Sequence, residues 1–229
     1  MDLGLNIAAS GMVAEQVQED QLSNDLANAQ TPGYKPASTV QTDFGALLLA
    51  NTASGATVGS IDSGVEAAKG PTDLTQGTLE ATGRPLDFAI AGSGFFAVRT
   101  AGGVQYTRNG EFSVSAQGRL VDQNGDDVLA QSGAPIKVGA SGTVPASAVG
   151  VFAVANPSQL GNNTFSGTAS GRAAGSVHSG ELESSAVDET ATYTQMESDL
   201  DAYTAGQQSI SVIGQTLAES ASSVGLVSS

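Results

Sequence analysis

Four groups of residues in this chain have the types and spacing to do chemistry. Gly92-Ser93-Gly94-Phe95-Phe96-Ala97 follows an apolar run and fits a G-x-G-x-x-A dinucleotide fingerprint, with Glu111 at about the expected distance of roughly 20 residues. That site needs a helix to open at the glycines and offer its N-terminus to a pyrophosphate. Phe95-Phe96-Ala97-Val98 reads as a strand, so the glycines are expected to hinge a strand turn. Asp122-Gln123-Asn124-Gly125-Asp126-Asp127 begins like a calcium loop, but position six is not Gly and position twelve is Gly133 where a bidentate Glu is required. A polar hairpin turn is expected there. His178 is the only histidine and there is no Cys, so a zinc site or a His-based triad has no support. Glu181 and Glu183 could serve as paired carboxylates for glycoside hydrolysis, but no aromatic sugar platform surrounds them. The expectation is a non-enzyme with no catalytic residue, no cofactor and no metal.

The elements that must position these residues lie between two long periodic segments. Leu5, Ala8, Met12, Glu15, Glu19, Leu22, Leu26 and Ala29 fall on alternating steps of three and four. So do Met196, Leu200, Tyr203, Gln207, Ile210, Gly214, Leu217, Ala221 and Val224. Heptad spacing with mostly apolar or small residues predicts a helix at each end with one narrow seam. The first covers residues 3–29, roughly 40 Å at 1.5 Å per residue. It stops at Thr31-Pro32-Gly33, because Pro32 pushes Thr31 out of the helical region and Pro-Gly suits a type II turn. The second covers about 190–224. Such helices either pack on the β body of one monomer or order by burying their seams in an assembly.

Between them the chain is Gly-rich. Residues 37–64 read as a partly irregular connection with one apolar knot from Phe44 to Leu49. From about 65 to 155 the pattern is β: Leu86–Ile90, Gly94–Val98, Val104–Thr107, Glu111–Val114 and Val149–Val154. Asn109-Gly110 between alternating runs predicts a type I′ hairpin. Gln117-Gly118 and Asn124-Gly125 punctuate further short strands, and residues 156–178 read as loop.

The chain of 229 residues is 40% hydrophobic but only 5% aromatic, which permits a core of small aliphatic residues. Its net charge is −15, and all eight bases lie between Lys35 and Arg172. Residues 1–34 hold five acids and residues 173–229 hold eight, with no base in either stretch. Nucleic-acid binding is not expected, since it needs a basic footprint. No apolar run is long enough to insert into a membrane. Residues 1–20 lack a positive n-region and an unbroken apolar core, so the expectation is either a cytoplasmic protein or export by a route without a cleaved signal peptide.

Five ordered blocks resemble the flagellar rod and hook family of axial proteins. Ser23 through Lys35 is similar to the family signature, with Asn24, Leu26, Ala27, Asn28, Thr31, Pro32, Gly33 and Tyr34 as its motif residues. Gly77 through Ile90, followed by Gly92-Ser93-Gly94-Phe95-Phe96, looks like the central motif. Tyr106-Thr107-Arg108-Asn109-Gly110-Glu111-Phe112 with Gly118–Val121 matches the hairpin block, and Gly180 through Asp188 the entry to the last helix. The chain departs from the family where Leu200-Asp201-Ala202-Tyr203 stands for the usual Gln-Arg-Ala-Tyr, and Ala186 for the usual Asn.

The resemblance implies an α+β fold in which discontinuous N- and C-terminal helices form a coiled-coil inner domain around a central, mainly antiparallel β domain. The expected divisions are 1–36 for the first helix and turn, 37–64 for an extended connection, 65–179 for the β domain, and 180–229 for the C-terminal linker and helix. The implied function is a basal-body rod subunit that self-assembles into a hollow, torque-transmitting shaft, with other rod and hook proteins and the flagellar type III export apparatus as partners. A hook-like or accessory axial protein is the alternative within the family, and a ligand-binding β protein capped by helices the alternative outside it. The expected assembly seam is Leu5, Ala8, Met12, Leu22, Leu26, Ala29, Met196, Leu200, Tyr203, Ile210, Leu217 and Val224.

Overall fold

The computed structural model describes residues 2–43, 46–50, 57–62, 65–139, 141–161 and 163–227. It is α+β, with helices α1 (Asp2–Ala27) and α2 (Glu189–Val227) at the two ends. The strands between them are β1 (Ala37–Asp43), β2 (Ala46–Ala50), β3 (Thr57–Asp62), β4 (Val65–Thr72), β5 (Leu79–Ala81), β6 (Phe88–Ala91), β7 (Phe96–Thr100), β8 (Gly103–Thr107), β9 (Ser113–Val114), β10 (Leu120–Val121), β11 (Asp127–Val128), β12 (Phe152–Gly161), β13 (Thr164–Arg172), β14 (Ser176–Ser179) and β15 (Glu181–Glu183). Two compact units result. One comprises residues 1–26, 37–70 and 189–229; the other comprises 27–36 and 71–188.

In the helical unit, α1 and α2 run antiparallel. A Cβ on Gly4 would lie 3.9 Å from Ile213, one on Gly206 would lie 2.8 Å from Met12, and Gln18 donates to Asp199 at 3.0 Å. Contact positions on α2 therefore fall as those on α1 rise. Asp188, a residue type favoured at helix N-caps, precedes α2, and Glu189 opens its first turn where the helix dipole favours an acid. The Ser/Thr content of α2 is accommodated because hydroxyls such as Thr194, Ser209 and Thr216 donate back to carbonyls one turn earlier. Stretch 37–64, read as a connection, contains β1, β2 and β3, with β2 antiparallel to β3 and β1 beside β4. Phe44 lies outside the described residues.

The β unit is built on a seven-stranded antiparallel sheet in the order β12-β13-β8-β7-β11-β10-β9. β7 is its central strand and is buried on both faces. Phe96 and Val98 enter a core with Phe88, Ile90, Phe112, Leu120, Val128 and Val151, while Phe95 and Ala97 meet Tyr106, Leu129 and Phe165 on the other side. Phe96 and Phe112 meet edge to face at 5.3 Å between ring centroids. Two small pairs, β6 with β14 and β5 with β15, tie the central motif to the segment before α2.

Two sequence expectations are corrected. Asn109-Gly110 is not a type I′ turn: neither residue has positive φ, and β8 pairs with β7 and β13 rather than with β9. Gly110 is instead required by close approach, since a Cβ there would stand 1.6 Å from Phe88 O, and Phe88 N donates to Gly110 O. Asn109 Oδ1 turns the chain by accepting from Glu111 N at 2.9 Å. Residues 156–161 and 163–178, read as loop, instead carry most of β12, then β13 and the start of β14. Their polar composition reflects exposure along most of the β12–β13 ribbon, whose register shifts three times. The turns at Gly118 and Gly125 are as expected, each glycine taking positive φ between short antiparallel strands.

Candidate functional site

One fully buried charged cluster joins the N-terminal, central, hairpin and C-terminal blocks. The signature block supplies Lys35, placed by the turn before it: Tyr34 N donates to Thr31 O at 3.2 Å, and Gly33 takes φ 65°, as position i+2 of a type II turn requires. The hairpin block supplies Arg108 from the end of β8, and the C-terminal block supplies Glu183 from β15. Lys35 Nζ donates to Glu183 Oε1 and, at 2.6 Å, to Thr75 O. Arg108 Nη1 donates to Glu183 Oε2 at 3.1 Å and Nη2 to Gly92 O at 3.0 Å, with its guanidinium 5.3 Å from the centroid of the Phe95 ring. Gly77 N, from the central motif, donates to Glu183 Oε1 at 3.0 Å. One carboxylate thus collects two cations and a backbone amide. Burial pulls the Lys35 ammonium below its ordinary value, and Glu183 opposes that shift.

Backbone bonds reinforce the knot. Gly33 N donates to Glu183 O at 2.7 Å, Ala186 N to Tyr34 O at 3.1 Å, and Asp73 N to Pro36 O at 2.9 Å. A Cβ on Gly33 would lie 2.4 Å from the Arg108 carbonyl, so this position admits only glycine. Pro32 O accepts from Asn163 Nδ2 at 2.9 Å, Thr31 Oγ1 bonds Asn28 Oδ1, and Tyr34 is buried. Asn24 and Leu26 lie on the last turns of α1 and Ala27 ends it. In the sequence, Lys35, Arg108 and Glu183 each stand within a family block, and Glu183 reads besides only as one of two paired carboxylates. The available clue is that each lies in a different block.

In the helical unit the predicted seam is partly brought together. Met196, Tyr203, Ile210 and Leu217 are half-buried on α2, but the second line of contact runs through Asp199, Gly206 and Ile213, one residue before Leu200, Gln207 and Gly214. Leu200 is 53% exposed and Leu5 37% exposed. On α1, Ala14 and Asp25 are buried, and Ala8, Met12, Leu22 and Leu26 are half-buried beside them; Ala29 is half-buried in the turn after α1. The side chain of Val224 lies outside the described residues. Asp199 receives Gln18 and Gln195 on Oδ1, while its Oδ2 is buried with no hydrogen-bond partner. Burial first, then the Asp199 charge, raises the Glu15 carboxyl above its ordinary value, with Gln41 pulling the other way.

The family description "Flagella basal body rod protein" matches residues 5–35, and "Flagellar hook protein FlgE/F/G D1 domain" matches residues 89–155. Over 226 residues the chain is 32% identical to the flagellar basal-body rod protein FlgG of Bacillus subtilis, covering 82% of this chain and 86% of that protein. This chain belongs to the flagellar basal-body rod protein family. It is also 30% identical over 218 residues to the rod protein FlgF of Caulobacter vibrioides, covering 86% and 87%. A third relative is the flagellar hook-basal body complex protein FlhO of Bacillus subtilis, 31% identical over 155 residues and covering 59% and 57%.

The remaining candidates serve the fold of this rod-family protein. The G-x-G-x-x-A segment opens β7, not a helix, and Gly94 at φ 130° avoids Val151 and Ala173, which a Cβ would approach to 2.4 and 2.5 Å. Glu111 pairs with Arg84 at 3.0 Å and accepts from Gln123. Asp122 Oδ1 caps its own turn by accepting from Asn124 N and Asp126 N. His178 sits on β14 with Nδ1 3.4 Å from Glu181. Among the described residues, no helix is long and apolar enough to cross a membrane.

Proposed function

We propose that this protein is a structural subunit of the flagellar basal-body rod, polymerising through its terminal helices into a hollow shaft that carries motor torque to the hook. One observation carries the assembly reading: α1 and α2, though paired, leave Leu5, Val13, Val17, Tyr193, Leu200 and Val212 exposed. An apolar surface of that kind on two helices is what an assembly buries. The finer parts belong to the same proposal: a coiled-coil inner domain made from residues 1–36 and 180–229, a connection at 37–64, a β domain at 65–179, and the heptad residues as assembly seam. So do contacts with other rod and hook proteins, and passage through the type III export apparatus without a cleaved signal.

Electron microscopy of basal bodies from a strain lacking the gene tests the role. Rods that stop short and bear no hook support an obligatory shaft segment; intact rods and hooks overturn it. Leu26→Asp and Leu217→Asp test the seam, because each puts a charge into it. They should block polymerisation while leaving the β unit folded, and normal assembly by either refutes the seam.

A further inference from the structure

A pocket of about 360 Å³ opens in the β unit, with walls that are mainly apolar: Leu74, Phe95, Val154 and Ala173. Among the described residues that line it, Arg108 alone is charged. Its side chain is 5% exposed, and its Nε–H is buried with no acceptor. The Gly92-Ser93-Gly94 turn borders the same pocket. Gln76 holds that turn by accepting from Gly92 N at 2.9 Å while donating to Ile90 O at 3.0 Å, so both ends of its amide are spent. Gly94 is buried, and among the described residues its N–H has no acceptor either. Buried donors without acceptors are uncommon, and each calls for a partner. Behind Arg108 stand Glu183 and Lys35, so these buried groups carry two positive charges and one negative. Asp73, the other acid that acts on Lys35, is exposed, and its Oδ1 accepts from Thr75 N and Oγ1.

We propose that this pocket binds a small carboxylate bearing an aliphatic group, its carboxylate at Arg108 and Gly94 and its aliphatic group against Leu74, Val154 and Ala173. Apolar walls with a few convergent polar groups are the usual make-up of a small-ligand site. A carboxylate supplies acceptors to the two open donors and offsets the surplus positive charge, as a charge-assisted pair does. A neutral amide offers one acceptor and no charge, and an ammonium offers neither. The aliphatic group covers apolar wall that water otherwise meets. Two sources share this chemistry: a free aliphatic acid, and the last residue of a peptide chain that ends in Leu, Val or Ile. The site lies wholly within the β unit, uses neither terminal helix and stands without the rod reading.

The test is isothermal titration of the full chain with N-acetyl-L-leucine, which mimics a peptide end, and with hexanoate, a free acid. At least one should saturate, while N-acetyl-L-leucinamide, which lacks the charge, and acetate, which lacks the tail, should bind at least about tenfold more weakly. Tighter binding of N-acetyl-L-leucine assigns the site to a peptide end, and tighter binding of hexanoate assigns it to a free acid. Leu74 is 38% exposed, so a charge placed there stays near water. Leu74→Lys and Leu74→Glu lose the same aliphatic wall and differ in sign, and the Lys variant should bind the acid about tenfold better than the Glu variant. Ala153→Leu, which fills the pocket, should weaken binding at least about tenfold with an unchanged thermal melt. No saturable binding of either acid, equal binding of the leucinamide, or binding indifferent to the charge at Leu74 and to Ala153→Leu overturns the proposal. None of these results bears on the rod assignment, which the basal-body microscopy decides separately.

Discussion

Glu183 and Lys35 stand 148 positions apart and share an ion pair from which solvent is excluded on both sides. Arg108 completes the cluster, so it holds two cations for one carboxylate. The three side chains are therefore not equivalent. Loss of the carboxylate leaves two like charges facing each other in the interior, whereas loss of Lys35 leaves a neutral Arg108–Glu183 pair.

Glu183→Gln should destabilise the β unit by about 3–5 kcal/mol, the range for stranding buried charge. Lys35→Met, which fills similar volume without charge, should cost clearly less. Urea unfolding followed by far-ultraviolet circular dichroism ranks the two. The reverse order would mean that Lys35, not Glu183, is the organising residue.

Gly110 and Gly118 should respond differently to the same change. Gly110→Ala drives a Cβ into Phe88 O and should destabilise by about 3 kcal/mol or more. Gly118 takes φ 72° with open space around it, so Gly118→Ala should cost only about 1 kcal/mol of backbone strain. Similar melting temperatures for the two variants would refute the close approach.

The helical unit should weaken as pH rises. Glu15 has a folded-state value raised above its unfolded value, so the folded unit holds this proton more tightly. Its contribution is fully present below the ordinary value of 4.5 and is lost as pH rises through the folded value. Helix melting at 222 nm should therefore fall with pH from about 4.5 upward, and Glu15→Gln should flatten that slope. A wild-type profile already flat above pH 4.5, or a slope unchanged in the variant, would remove Glu15 from the account.

Two glycines of α2 offer a contrast within one helix. Nothing stands within 4 Å of the place a methyl group on Gly214 would take, so Gly214→Ala should stabilise α2 by about 1 kcal/mol through helix propensity. At Gly206 the same methyl meets Met12 at 2.8 Å, and the gain should be offset by the displaced thioether chain. Thermal melts of both variants decide this; an equal gain at both sites would show that α1 does not press on Gly206.

Both helices, the Pro32-Gly33 turn and the central strand β7 are legible in the sequence, because heptad spacing, proline sterics and alternation are local. What escapes is set by distant partners. Asn109-Gly110 has hairpin chemistry, but Phe88 claims the backbone of Gly110 and sends the chain elsewhere. The β12–β13 ribbon lacks an apolar face along most of its length, so periodicity has nothing to report there. The one-residue rotation from Leu200 to Asp199 is hidden because Asp199 is polar; it enters the helix pair through the amides of Gln18 and Gln195, a compensation that spacing does not reveal. Lys35, Arg108 and Glu183 are visible singly, and only folding makes them one cluster.

The knot around Glu183 also fixes how the β unit would bear a mechanical load. Residues 33–36 are bonded to 73–75 and to 183–186 within one small region, by Gly33 N to Glu183 O, Ala186 N to Tyr34 O, Asp73 N to Pro36 O, Lys35 Nζ to Thr75 O and the Lys35–Glu183 ion pair. A pull applied between Ala27 and Asp188 enters and leaves through these bonds. The strands between them, with their Phe96 and Phe165 cores, lie on a side branch and stay slack. The body is shunted out of the line of tension, so it can be lengthened or trimmed without changing what the chain can hold.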